Sequence, residues 1–117
     1  MYTIKITINN QIFTANFIEN ATTKTLLSKM PFELPMLNLY SRELTYRFKQ
    51  GLPADEAQTS SYVVGDIAYW TPRHSFVIFY KQTGEVISNL QKVGHINSGD
   101  LTPLRSAGDT LMKFERI

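Results

Sequence analysis

Cysteine is absent from this chain. That excludes a disulfide framework, a thiolate metal site and a thiol nucleophile. Histidine is scarce, with only His74 and His95, so a histidine-rich metal cage is excluded as well. The charges nearly cancel: Lys+Arg 12 against Asp+Glu 10 leave a formal +2, too weak a field to argue for nucleic acid. The six glycines never gather into Gly-x-Gly-x-x-Gly or a P-loop, so no phosphate cradle is legible. No Gly-x-Ser-x-Gly elbow exists, and neither histidine has a triad partner readable from spacing. No apolar run approaches the length that spans a bilayer. The opening Met1-Tyr2-Thr3-Ile4-Lys5-Ile6 has neither the basic start nor the long apolar core of a signal peptide. The expectation is a soluble, cytoplasmic protein that uses no metal and no cofactor and binds neither nucleic acid nor membrane.

What is there is a foldable chain. Its 117 residues suit one domain, 1–117, and 43% hydrophobic residues argue against disorder. Tyr2, Ile4, Ile6 and Ile8 alternate with Thr3, Lys5 and Thr7, the period of a half-buried strand. Asn9-Asn10 suits a two-residue hairpin turn, because Asn tolerates positive φ. Phe13, Ala15 and Phe17 then alternate with Thr14 and Asn16. A turn at Asn9-Asn10 pairs Ile8 with Gln11, Ile6 with Phe13, Ile4 with Ala15 and Tyr2 with Phe17, so apolar residues meet on one face.

Residues 22–30 are the helix candidate. Asn20, Thr22 or Thr23 can cap it, Leu26, Leu27 and Met30 share a face, and Pro31 blocks continuation. So little apolar surface suits a helix that plugs one end of a sheet or barrel. Strand patterns resume with Phe32, Leu34 and Met36, where Pro35 favours an edge or a bend. Leu44, Tyr46 and Phe48 form one face of the next run, with Glu43, Thr45, Arg47 and Lys49 on the other. Residues 51–61 are polar and read as a long loop. Residues 67–70 and 75–80 read as strands, the second apolar on both faces and therefore central. Gln82-Thr83-Gly84 and Ser98-Gly99-Asp100 read as turns. Residues 91–97 and 111–116 are weaker strands, and 101–105 suits one helical turn. About eight short strands with one helix make a mainly β domain, a closed barrel or a sandwich.

Chemistry is sparse. Asp66 and His74 flank different strand starts and are candidates to approach each other, but two ligands do not make a metal site. Asp55-Glu56 are loop acids of the kind usually solvated. One segment concentrates the candidates: Trp70, Arg73, His74, Phe76 and Phe79 surround a Thr71-Pro72 turn. Aromatic walls with a few polar tips are what a ligand groove requires. The structural alternative has Tyr69, Phe76 and Ile78 filling a barrel while Trp70 covers its outside, with His74 and Arg73 as turn residues. Arg47 is the remaining candidate. With Leu44, Tyr46 and Phe48 inside, it faces out, either as a ligand's hydrogen-bond donor or as a surface charge beside Glu43 and Thr45.

These residues also carry a resemblance. The Ile4-Lys5-Ile6-Thr7-Ile8 hairpin strand, the Asn20, Thr22, Leu27 and Pro31 stretch, and above all Gly65-Asp66-Ile67-Ala68-Tyr69-Trp70-Thr71-Pro72 running into Val77-Ile78-Phe79-Tyr80-Lys81 resemble the small bacterial and archaeal cyclophilin-like family. The resemblance closes with Val93-Gly94-His95-Ile96-Asn97-Ser98-Gly99, where that family commonly has Gly-Arg-Ile. The resemblance implies a closed eight-stranded β-barrel with a helix at one end. Peptidyl-prolyl isomerases of the cyclophilin type show a similar order of blocks. They carry an Arg in a Phe-His-Arg context, near which stands Arg47, and a Gln where this chain has Ser75 or Phe76. The aromatic strand matches and the polar catalytic set departs. The preferred expectation is therefore a module binding a peptide or small ligand at an aromatic groove near Arg47, Trp70, Arg73, His74, Phe76 and Phe79. The alternatives are a weak prolyl isomerase and a structural or protein-interaction domain.

Overall fold

The first hairpin folds as its alternation dictates. In a computed structural model, which describes residues 1–97 and 100–117, β1 (Tyr2–Ile8) and β2 (Gln11–Phe17) pair in the expected register, Ile8 with Gln11 through Tyr2 with Phe17. Asn9 and Asn10 take φ of 47° and 66°, the left-handed turn that matches strand twist. Helix α1 spans Ala21–Lys29, one residue earlier at each end than the sequence suggests. The Asn20 side chain caps it by accepting from the Thr23 N–H at 2.9 Å. Its Leu26 and Leu27 join the barrel core.

The remaining strands are β3 (Phe32–Leu39), β4 (Glu43–Arg47), β5 (Gln58–Ser60), β6 (Asp66–Trp70), β7 (Ser75–Phe79), β8 (Ile87–Ile96) and β9 (Thr110–Arg116). A 3-10 turn at Thr71–Arg73 joins β6 to β7, and a short helix α2 (Thr102–Ser106) precedes β9. The sheet runs β2-β1-β9-β3-β4-β7-β6-β8, and a β2–β8 pairing closes it. Eight antiparallel strands thus form a barrel, and β5 adds outside the ring along β8. Closure leaves the apolar strands without open edges. Ile4, Ile6, Phe17, Phe76, Ile78 and Phe114 fill the interior, all fully buried.

Three local readings are corrected. The 51–61 loop contains β5, because residues 58–60 find backbone partners on β8 that no side-chain pattern announces. Strand β8 begins at Ile87, four residues before the expected 91. It also carries a register shift opposite Ile67 and Ala68, which disrupts its alternation. Pro35 does not lie on an edge strand: β3 runs between β9 and β4. Its β4 pairing, however, covers only Leu37–Leu39, so Pro35 needs no N–H on that side. The turn expected at Ser98-Gly99-Asp100 lies in part outside the described residues.

Gly94 sits at the seam. A Cβ there would lie 2.5 Å from the Asn16 carbonyl oxygen and 2.8 Å from Phe17 Cδ1. Only a residue without a side chain lets β8 approach β2 this closely.

Candidate functional site

The outer faces of β4, β7, β6 and β8 build the site. Outward residues on neighbouring strands line up in rows. Arg47 pairs with Ser75, Ser75 with Trp70, and Trp70 with Leu90. The next row sets Thr45 beside Val77 and Val77 beside Ala68. Strands lie about 4.8 Å apart, so the Arg47 and Trp70 backbones stand about 10 Å apart across a small serine. Large side chains flanking small ones on a twisted sheet make a groove. Its volume is about 540 Å³, and the segment containing Glu85, Val86, Ile87 and Ser88 forms one bank.

Each wall is held. The Trp70 indole Nε1 donates to the Ser88 carbonyl at 3.0 Å, which fixes the ring against β8. Phe79 stacks on Tyr62 with centroids 3.9 Å apart and planes 13° apart. These rings, with Ala68, Val77 and Leu90, form a second apolar cluster outside the barrel. Tyr62 thereby covers part of the outer face, and Phe79 beneath it is buried although it points away from the interior.

One end of the groove is electrostatically closed. Arg42 Nε donates to Glu43 Oε1 at 2.7 Å, and its Nη1 donates to Glu85 Oε2 at 2.9 Å. Glu43 Oε2 accepts from the Thr45 hydroxyl, and Glu85 Oε1 accepts from the Thr83 hydroxyl at 2.7 Å. The guanidinium also lies 5.0 Å from the Tyr40 ring centroid and 5.8 Å from that of Phe79. Burial works against the Arg42 charge, but Glu43 and then Glu85 outweigh it and raise its pKa above the ordinary value. The Thr83 hydroxyl and then Arg42 hold the Glu85 carboxyl below the usual carboxylate range.

The other end is open. Arg47 lines the groove, and its Nε is sealed from water with no hydrogen-bond partner among the described residues. No described acid forms an ion pair with it.

The structure brings together Arg47, Trp70 and Phe79 and separates the other candidates from them. Phe76 points into the barrel, packed against Phe114 with centroids 5.3 Å apart. Arg73 is exposed on the 3-10 turn. His74 takes a left-handed φ of 53° and turns its ring away from the groove, Nδ1 lying 3.3 Å from the Phe48 carbonyl oxygen. Its ring also packs against Gly51. Asp66 does not approach His74. The β6–β7 ladder is antiparallel, so the two strand starts lie at opposite ends of the hairpin.

Asp66 instead meets His95, Oδ1 to Nδ1 at 2.9 Å, and its Oδ2 accepts from Lys92 Nζ at 2.7 Å and the Val63 N–H at 3.0 Å. Burial pushes this carboxyl up, but Lys92, the Val63 amide and His95 together hold it below the usual range. The Arg42 cluster and this Asp66 cluster escape a reading by spacing. Only the adjacent charges Arg42-Glu43 hinted at the first, and nothing local hints at the second. Among the described residues no group of three or more His, Asp or Glu is placed to hold a metal.

A small closed antiparallel barrel with a part-apolar groove on its outer face is the class of protein these observations define. The cyclophilin-like family model matches residues 6–115, and the chain belongs to that family. A hypothetical protein from Archaeoglobus fulgidus, known from a solution structure, has the same fold: TM-score 0.76 over 99% of this chain and 95% of that one, at 18% identity. A comparison with curated proteins finds no match. No described helix is long and apolar enough to cross a membrane.

Proposed function

We propose that this barrel is a binding module whose outer groove takes a peptide or a small ligand. One observation carries the reading. Arg47 and the fixed Trp70 indole flank Ser75 in a single cross-strand row, and the Arg47 Nε has lost water without gaining a partner. The same guanidinium has no described hydrogen-bond or ion-pair partner, so the terminal nitrogens it presents to the groove are left for a ligand that accepts. The groove volume of about 540 Å³ falls in the range of small-molecule sites.

Trp70 is the single tryptophan, so its emission reports on the groove alone. Titration with a broad set of short peptides and small molecules should give saturable emission changes. Amide chemical-shift changes should concentrate on β4, β6 and β7. Binding elsewhere, or none across the set, would overturn the reading.

Weak prolyl isomerisation is the second reading, favoured by the outward Arg47 beside the apolar Val77 and Leu90. The peptide bond's barrier of about 18–20 kcal/mol leaves much for a catalyst to lower. A protease-coupled proline-peptide assay tests it. Activity lost in Arg47→Ala supports it, and activity unchanged in that variant sinks it.

A further inference from the structure

The charges of the groove narrow what it can hold. Arg42 already faces two carboxylates, Glu43 and Glu85, and the second oxygen of each acid accepts from a threonine hydroxyl. That end of the groove therefore keeps an excess of one negative charge, and its hydrogen bonds are satisfied. Arg47 is different. It has no described ion-pair partner, and its Nε is buried and unpaired. The open polar valence of the groove is therefore one guanidinium.

A guanidinium only donates, so its complement must accept. A neutral carbonyl would take one N–H and leave a partly desolvated positive charge unmatched. A carboxylate takes two parallel N–H bonds from the planar fork and supplies the missing charge. Resting on the binding reading above, we infer that the ligand carries one carboxylate, held end-on by the Arg47 terminal nitrogens, joined to an apolar body. The body lies over Ser75 and Val77 and against the Trp70 indole, which its bond to Ser88 holds in place before any ligand arrives. A rigid wall of this kind lowers the ordering cost of binding. A second negative group on the ligand would point toward Glu43 and Glu85 and be repelled, so the site selects monocarboxylates over dicarboxylates. Free organic acids and the C-terminal end of a peptide share this chemistry.

The test compares ligands that differ only in charge, with Trp70 emission as the readout. The probes are N-acetyl-leucine and its amide, N-acetyl-Gly-Gly-Leu and its amide, and N-acetyl-glutamate as the dicarboxylate control. At least one acid should bind ten-fold or more tightly than its own amide. The preference should weaken as salt rises, and the dicarboxylate should bind more weakly than the favoured acid. Arg47→Met should abolish the difference between acid and amide, and Arg47→Lys should keep part of it; circular dichroism checks that both variants fold. Tighter binding of the short acid assigns a small-molecule ligand, and tighter binding of the peptide acid assigns a peptide C-terminus.

Equal affinity for acid and amide in the unaltered protein would overturn the inference and leave the groove reading standing. So would binding confined to uncharged compounds. A groove that binds nothing would sink both.

Discussion

Asp66 and His95 are direct partners across the β6–β8 ladder, with Oδ1 2.9 Å from the ring Nδ1. Lys92 reaches the same carboxylate because the register shift in β8 lies between the two residues. Three positions apart in a regular strand, Lys92 and His95 would point to opposite faces. The extra residue turns both outward, and it turns Val93 and Ile96 both into the core.

This cluster makes stability depend on acid. The folded Asp66 carboxyl titrates below its unfolded value, so its contribution is complete above the ordinary carboxylate pKa of about 3.9 and is lost as pH falls through the folded pKa. Asp66→Asn should therefore be less stable than the unaltered protein at pH 7, by about 1–3 kcal/mol. The gap should narrow toward pH ~2. Urea unfolding followed by circular dichroism at several pH values measures it. A gap independent of pH would show that the pairing does not tune this carboxyl.

Barrel closure should fail first at Gly94. A methyl group there meets the Asn16 carbonyl oxygen at 2.5 Å, which is backbone and cannot swing away. Gly94→Ala should cost about 3 kcal/mol or more, with hydrogen exchange rising first along the β2–β8 pairing. Gly84→Ala is the control. Nothing lies near its would-be Cβ, but φ is +78°, so the expected cost is about 1 kcal/mol. Equal losses in the two variants would argue against close packing at the seam.

Two of the aromatic-turn candidates should behave as structure. Phe76 is fully buried in the barrel, and Phe76→Ala should cost about 3–5 kcal/mol. Arg73 is exposed, and Arg73→Ala should change stability by no more than about 0.5 kcal/mol. Neither Arg73→Ala nor the milder Phe76→Leu should weaken a ligand that Arg47→Met loses. Loss of binding in Arg73→Ala would enlarge the site beyond the groove.

Trp70 should hold its bank of the groove. Trp70→Phe keeps an aromatic wall but loses the bond to the Ser88 carbonyl, at about 1 kcal/mol. Backbone amide shifts should change at Ser88 and its neighbours and stay constant in β1 and β9. Unchanged Ser88 shifts would mean that the indole does not anchor β8.

Alternation and turn chemistry were enough to write down the first hairpin to the residue, since each strand's apolar face and the Asn9-Asn10 turn agree on one register. The same local rules place α1, the central β7 and the outward direction of Arg47. The family was legible by a separate route, the resemblance carried above all by the Gly65 to Lys81 block, and the family match over residues 6–115 agrees with it. The local rules do not reach the groove. Arg47, Ser75 and Trp70 share a row because β4 and β6 each pair with β7, and the register between strands distant in sequence depends on how the whole ring closes. The Asp66 pairing needs that register and the β8 bulge together. A strand's own residues dictate which face is apolar. Which outward side chains become neighbours, and which of them lose water beneath a covering loop, depends on contacts that exist only once the barrel has closed.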